Sequence, residues 1–208
     1  MKLKTVSKIG FDCEPFNDMV VFDLETTGLS SRRHEIIQIA AMRISDGEIQ
    51  PDDSFFSYVK PQASISRFIT SYTGITNEDV KDAPMPKDVL PDFSKYCGDS
   101  LLVAHNGQRF DLPFVMRTCE RHNIKTRRTH YIDSIHLSWN VWGRREVPSH
   151  NLDSVISRLK VSDDGVKRHD ARGDVDLTAK CVCRMIDKLG KKTRDTELGI
   201  YSCVLPQL

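Results

Sequence analysis

The sequence predicts an α/β domain: a mixed five-stranded sheet, three antiparallel strands followed by parallel ones, flanked by helices. Three observations lead there. Three largely apolar runs come first, Met19–Glu25, Glu35–Ile44 and Ser54–Val59, and the short connections between them suit an antiparallel meander. Two further apolar runs, Ser100–Ala104 and Tyr131–Asp133, are separated by a segment of helical spacing. Helical periodicity dominates the rest of the chain after residue 60.

Each element has its own signal. Met19–Glu25 is short, mostly apolar and closed by Thr26, Thr27 and Gly28, which reads as a buried strand. Glu35–Ile44 ends at Ser45, Asp46 and Gly47, and Ser54–Val59 is stopped by Pro61. A short helix is expected over Ser64–Ser71, before Thr73, Gly74 and Ile75. Pro86–Tyr96 follows, with Pro86 suited to a first helical turn. Ser100–Ala104 is a brief strand, closed at Gly107. Phe110, Phe114, Val115 and Cys119 recur at helical spacing over Phe110–His122. Tyr131–Asp133 is the last expected strand, and three helices follow at Ser134–Trp142, Leu152–Leu159 and Arg172–Leu189. One domain is expected over residues 18–190, with 1–17 as an N-terminal extension and 191–208 as a tail that packs loosely or frays.

Composition narrows the class. The 208 residues are 39% hydrophobic and 28% charged, which excludes a disordered tail, a collagen-like repeat and a coiled coil. A net charge of +1 gives no bulk attraction for nucleic acid, so any such affinity must come from local clusters. The six cysteines lack C-x-x-C spacing, which argues against a zinc or redox motif and for reduced thiols. No apolar run approaches the ~18–20 residues of a membrane span. Residues 1–8 carry charge without a following apolar block, unlike a secretory signal. The expectation is a soluble intracellular protein, cytoplasmic or nuclear, with no membrane partner.

Three acidic sites are out of keeping with their surroundings. Asp23 and Glu25 end a strand otherwise made of Val20, Val21, Phe22 and Leu24. Residues two apart on a strand face the same side, so two carboxylates share one face beside the core. Burying both charges is costly, and a bound divalent cation is the simplest remedy, unless the strand end stands in water. The run His105, Asn106, Gly107, Gln108, Arg109, Phe110, Asp111 places an acid in a helix's first turn, where the dipole alone would favour it, and Asn106 also suits a plain turn. The third run is His169, Asp170, Ala171, Arg172, Gly173, Asp174, opening the last long helix. Asp174 would face the sheet from that helix, with Asp170 and Asp176 as competing choices, and His169 would sit in the preceding loop, either functional or merely solvated.

Together and in this order, the three blocks resemble the motifs of the DnaQ-like (DEDDh) 3′–5′ exonucleases of the ribonuclease H-like superfamily. FDLETTGL at 22–29 resembles the first motif, HNGQRFD at 105–111 the second, and His169 with Asp174 the third. ITSYTGI at 69–75 is similar to the family's segment after the third strand, and AHNGQRFD with the Gly173, Asp174 pair is closest to the TREX type. Thr26 instead matches proofreading subunits, and the TREX type's proline-rich insertion and long C-terminal extension are missing.

The resemblance implies a ribonuclease H-like sheet and hydrolysis of phosphodiester bonds from the 3′ end. Two magnesium or manganese ions would be held by Asp23, Glu25, Asp111 and Asp174, with His169 as the general base. Carboxylates suit such hard ions, and a histidine titrating near ~6.5 suits a base at neutral pH. Thr26, Gly28 and Leu29 would hold the terminal nucleotide from one side and Ile75 from the other. His105, Asn106 and Phe110 would line the strand path. Lys167 and Arg168, beside His169, are the first choice among basic clusters for a phosphate contact, and activity should fall steeply with salt through such contacts. Arg32 with Arg33, residues 121–128, and Arg144 with Arg145 are the other such clusters. The expected partner is nucleic acid with a free 3′ end, single-stranded DNA first, and the TREX type further implies a homodimer. A catalytically decayed binding or scaffold module of the same fold is the alternative, and an endonuclease of that fold is a second.

Overall fold

The computed structural model describes residues 2–191 and 197–207. Its seven-stranded sheet has the order β1-β7-β6-β5-β2-β3-β4. The strands are β1 (Lys2–Val6), β2 (Asp18–Thr26), β3 (Ile36–Ser45), β4 (Glu48–Tyr58), β5 (Leu101–Ala104), β6 (Thr126–Asp133) and β7 (Leu198–Pro206). Strands β2, β3 and β4 form the expected antiparallel meander, and β5 and β6 run parallel to β2. The helices are α1 (Arg67–Thr73), α2 (Asn77–Val80), α3 (Pro86–Cys97), α4 (Asp111–Arg121), α5 (Ser134–Trp142), α6 (Leu152–Leu159) and α7 (Ala171–Gly190).

Side-chain alternation along β2 builds the two core layers. Met19 and Val21 point to a layer completed by Leu137, Val155, Val175, Val182 and Ile186 from α5, α6 and α7. Val20, Phe22 and Leu24 point to a second layer with Leu90 and Phe93 of α3 and Phe114 and Val115 of α4. By the same alternation Asp23 and Glu25 continue the Met19 and Val21 face, towards α7. β2 lies centrally, with a parallel neighbour on one side and an antiparallel one on the other. The carboxyl ends of its strand and of β5 are therefore where an open α/β sheet leaves a crevice.

Two expectations about the sheet are corrected. It has seven strands rather than five, because residues from both ends of the chain join it. β7 pairs antiparallel with β6 on one side and β1 on the other, so residues 198–206 do not fray; residues 192–196 lie outside the described residues. Leu198, Ile200 and Leu205 are buried, and Ser94 Oγ donates to the Pro206 carbonyl at 2.6 Å. Strand β4 also begins six residues earlier than the sequence suggested, through Pro51. It is the sheet edge, where a proline costs no ladder bond, and a register shift falls beside it.

Candidate active site

Three elements carry the four acids to one place. Asp23 and Glu25 come from the end of β2, and Asp174 from the first turn of α7. Ligand oxygens of these three all lie within 4.8 Å of one another. Asp111, in the first turn of α4, is 1% exposed, and its Oδ1 has no hydrogen-bond partner. The electrostatics show one cluster. Burial, then the charges of Asp111 and Glu25, hold the Asp23 carboxyl well above the usual carboxylate range. Burial, then the Asp111 and Asp170 charges, push Glu25 up to about 7. Burial likewise lifts Asp111 to about 7, although N–H groups of its own backbone and of Leu24 pull the other way. An all-oxygen set with an orphaned buried oxygen fits a hard divalent cation.

The competing acids each have a cation partner of their own, although the Asp170 charge still reaches Glu25. Asp170 caps α7, accepting from the Arg172 N–H and guanidinium, and Asp176 pairs with Lys180 at 2.7 Å. Gly173 lets α7 approach the preceding loop, since a Cβ there would stand 2.2 Å from the Lys167 carbonyl oxygen. His169 adopts a left-handed backbone, φ 57°, and its N–H donates to Asp174 Oδ2 at 3.1 Å. Its ring stacks on Tyr72 of α1, centroids 4.1 Å apart. Burial and the adjacent Arg168 charge lower its pKa, which favours the neutral ring.

The second motif is tied down by a residue that the sequence reading passed over. Asp133, 3% exposed at the end of β6, accepts from the N–H groups of Asn106 (2.9 Å), Gln108 (3.2 Å) and Ile135 (3.0 Å) and from the Tyr131 hydroxyl (2.8 Å). It caps α5 and fixes the loop that delivers Asp111. An aspartate directly before a helix of apolar spacing was the available signal. Gln38 is a second such residue: it is fully buried opposite Glu25, and its Oε1 accepts from the Ala171 N–H at 2.7 Å, tying α7 to β3. A polar residue inside the apolar run IIQIAA was its signal.

The expected substrate contacts divide. Leu29 is 88% exposed on a built loop. There the Thr26 hydroxyl donates to the Gly28 carbonyl at 2.8 Å, and a Cβ on Gly28 would meet the His34 ring at 2.6 Å. Arg121 braces that loop, donating to the carbonyls of Ser31 and His34. Asn106 and His105 line a cleft of about 290 Å³ with Ile135, Trp139 and His150. The His105 ring meets Ser134 Oγ at 2.8 Å, and burial drives its pKa down to about 4. Phe110 is half-buried against Phe114. Two contacts are corrected. Ile75 is 2% exposed and packs with Ile37, Ile65, Ile69 and Val80, so it has no free face for a nucleotide. Arg168 turns inward, its guanidinium against Asp174 and at 2.5 Å from Asp153.

A family model described as Exonuclease matches residues 20–182. The chain is 36% identical over 185 residues to the PolC-type DNA polymerase III of Caldanaerobacter subterraneus subsp. tengcongensis, covering 89% of this chain. It is 33% identical over 180 residues to the PolC-type enzyme of Streptococcus pneumoniae, covering 86% of this chain. It spans 12% of the length of each of these relatives. Among solved structures, cell-death related nuclease 4 superposes with a TM-score of 0.72 at 22% identity, over 83% of this chain and 64% of that one. The nuclease domain of 3′hExo, a DEDDh family member bound to rAMP, does so at 0.70 and 21%, over 88% and 98%. The match to the family model covers all three motif blocks, and the chain belongs to the exonuclease family.

Proposed function

We propose that the protein is a 3′–5′ exonuclease that removes nucleoside 5′-monophosphates from a free 3′ end, single-stranded DNA first. The observation that carries this is the convergence of Asp23, Glu25 and Asp174 within 4.8 Å, beside the orphaned Asp111 oxygen. These four residues would hold two magnesium or manganese ions, which would supply positive charge to the attacking and leaving oxygens.

The chain's own groups do the rest. Leu29 presents an apolar wedge at the terminal base, on the loop that Thr26, Gly28 and Arg121 hold in shape. Neutral His169 accepts the proton of the attacking water once its ring leaves Tyr72 for the carboxylates, a short swing from a loop already anchored by its N–H on Asp174. The Arg168 guanidinium lies against Asp174, so the ions would compete with it for that carboxylate. A decayed binding module would have no use for two buried and two half-buried acids and a histidine around one point.

The test uses 5′-labelled single-stranded DNA and RNA with magnesium, manganese or chelator. A ladder shortening from the 3′ end, abolished by Asp111→Ala and by chelator, is expected. Internal cleavage, or activity that survives chelation, overturns the proposal.

A further inference from the structure

The hydrolytic reading leaves one exposed aromatic feature unused. Phe68 and Tyr72, one turn apart on α1, are 75% and 54% exposed. Their planes lie within 8° of parallel with centroids 6.4 Å apart, and the Tyr72 ring continues onto the His169 ring. Phe68 and Tyr72 thus present two exposed ring faces across α1, beside the loop that carries His169. Arg67 is exposed beside Phe68 and residues 61–75 contain no acid, while the Lys167 ammonium over Gly74 at the end of α1 also stands 3.8 Å from Asp170, and Glu78 and Asp79 follow in α2.

Ring faces interleaved with cations are what unpaired nucleotides need, since bases stack while phosphates seek positive charge. A second copy of the chain is a poor occupant. Two rings of ~150–250 Å² each fall well short of the ~800 Å² per partner that a stable interface buries. We infer that Phe68 and Tyr72 form a stacking platform for the unpaired nucleobases next to the 3′-terminal nucleotide, which makes single-stranded 3′ ends the preferred substrate. This rests on the exonuclease reading above. A paired strand keeps its bases stacked within the duplex and cannot use the platform.

The experiment follows catalytic efficiency with manganese on 5′-labelled oligo-dT from two to ten nucleotides and on a blunt duplex. The p-nitrophenyl ester of thymidine 5′-monophosphate, which has no neighbouring nucleotide, tests the chemistry of the wild type. In the wild type kcat/KM rises with length over the first few nucleotides. In Phe68→Ala that rise shrinks about 10-fold, chiefly through KM, in line with base–aromatic stacking. Phe68→Trp retains it, and its indole fluorescence is quenched by oligo-dT in the presence of chelator. If the wild type hydrolyses the ester and Phe68→Ala keeps the full length dependence, the platform is wrong and the exonuclease reading stands. If the wild type attacks neither ester nor oligonucleotide, both fall. A Phe68→Ala protein that sediments as a smaller species with unaltered KM assigns the face to self-association and overturns the platform.

Discussion

At Asp111 a carboxylate is buried with one oxygen unpartnered, beside Asp23, whose own pKa it raises. Asp111→Asn removes a charge from a repelling set and keeps the shape. We expect activity to fall by at least about 10³-fold, since the side chain would serve the cations directly. The metal-free melting temperature should stay level or rise, because less like charge remains. A clear fall in that temperature would show the carboxylate to be structural. The same residues set a pH dependence. Glu25 and Asp111 titrate near 7 in the folded chain, above their unfolded values. Raised carboxyl pKa values mean that the folded state binds the extra protons, so their stabilisation is full below the unfolded values and is lost as pH rises through the folded ones. Metal-free protein should therefore melt progressively lower from about pH 4 to pH 8, and manganese should reverse the loss at pH 8. Calorimetry with and without chelator reads both effects, and a manganese-insensitive melting temperature at pH 8 counts against the cation site.

Single elements are set by their ends. α5 starts on Asp133, whose carboxylate also holds the loop between β5 and α4. Asp133→Ala would remove a cap and leave buried donors unpaired, at a cost of at least ~2 kcal/mol. For a domain of this size that lowers the melting temperature by about 5 °C. Activity should fall as well, because the loop delivers Asp111, and Asp133→Asn should recover more stability than activity. α7 begins at a comparable junction: Asp170 caps it, Gly173 permits the close approach to Lys167, and Gln38 anchors its first residue. The helix itself was legible from its apolar spacing. The local contacts that aim Asp174 were not, because they come from β3 and from a loop.

The whole molecule depends on residues read as a tail. β7 fills the gap between β6 and β1 and buries Leu198, Ile200, Cys203 and Leu205. Ending the chain at residue 190 would expose the β6 edge and the apolar faces of α3 and α4 that β7 covers. The truncated chain should be insoluble, or should melt far below the full chain, even though every motif residue is retained. A soluble, cooperatively folding truncation with full activity would show that β7 is an accessory. The two free edges of the sheet differ. β4 carries Pro51, Asp52 and Asp53, and β1 carries Lys2 and Lys4, so each edge has residues that discourage pairing with another chain.

Alternation along β2, helical spacing in α4, α5, α6 and α7, and the acids at 23, 25, 111 and 174 were all legible in the sequence. Each rests on neighbours two to four residues apart, or on side-chain chemistry that is costly to bury. Tertiary structure alone decided the rest. It put Ile75 inside, turned Arg168 onto Asp174, gave Asp133 its four donors and drew β7 into the sheet. Those outcomes depend on which distant segments close around a residue, and local periodicity carries no record of that.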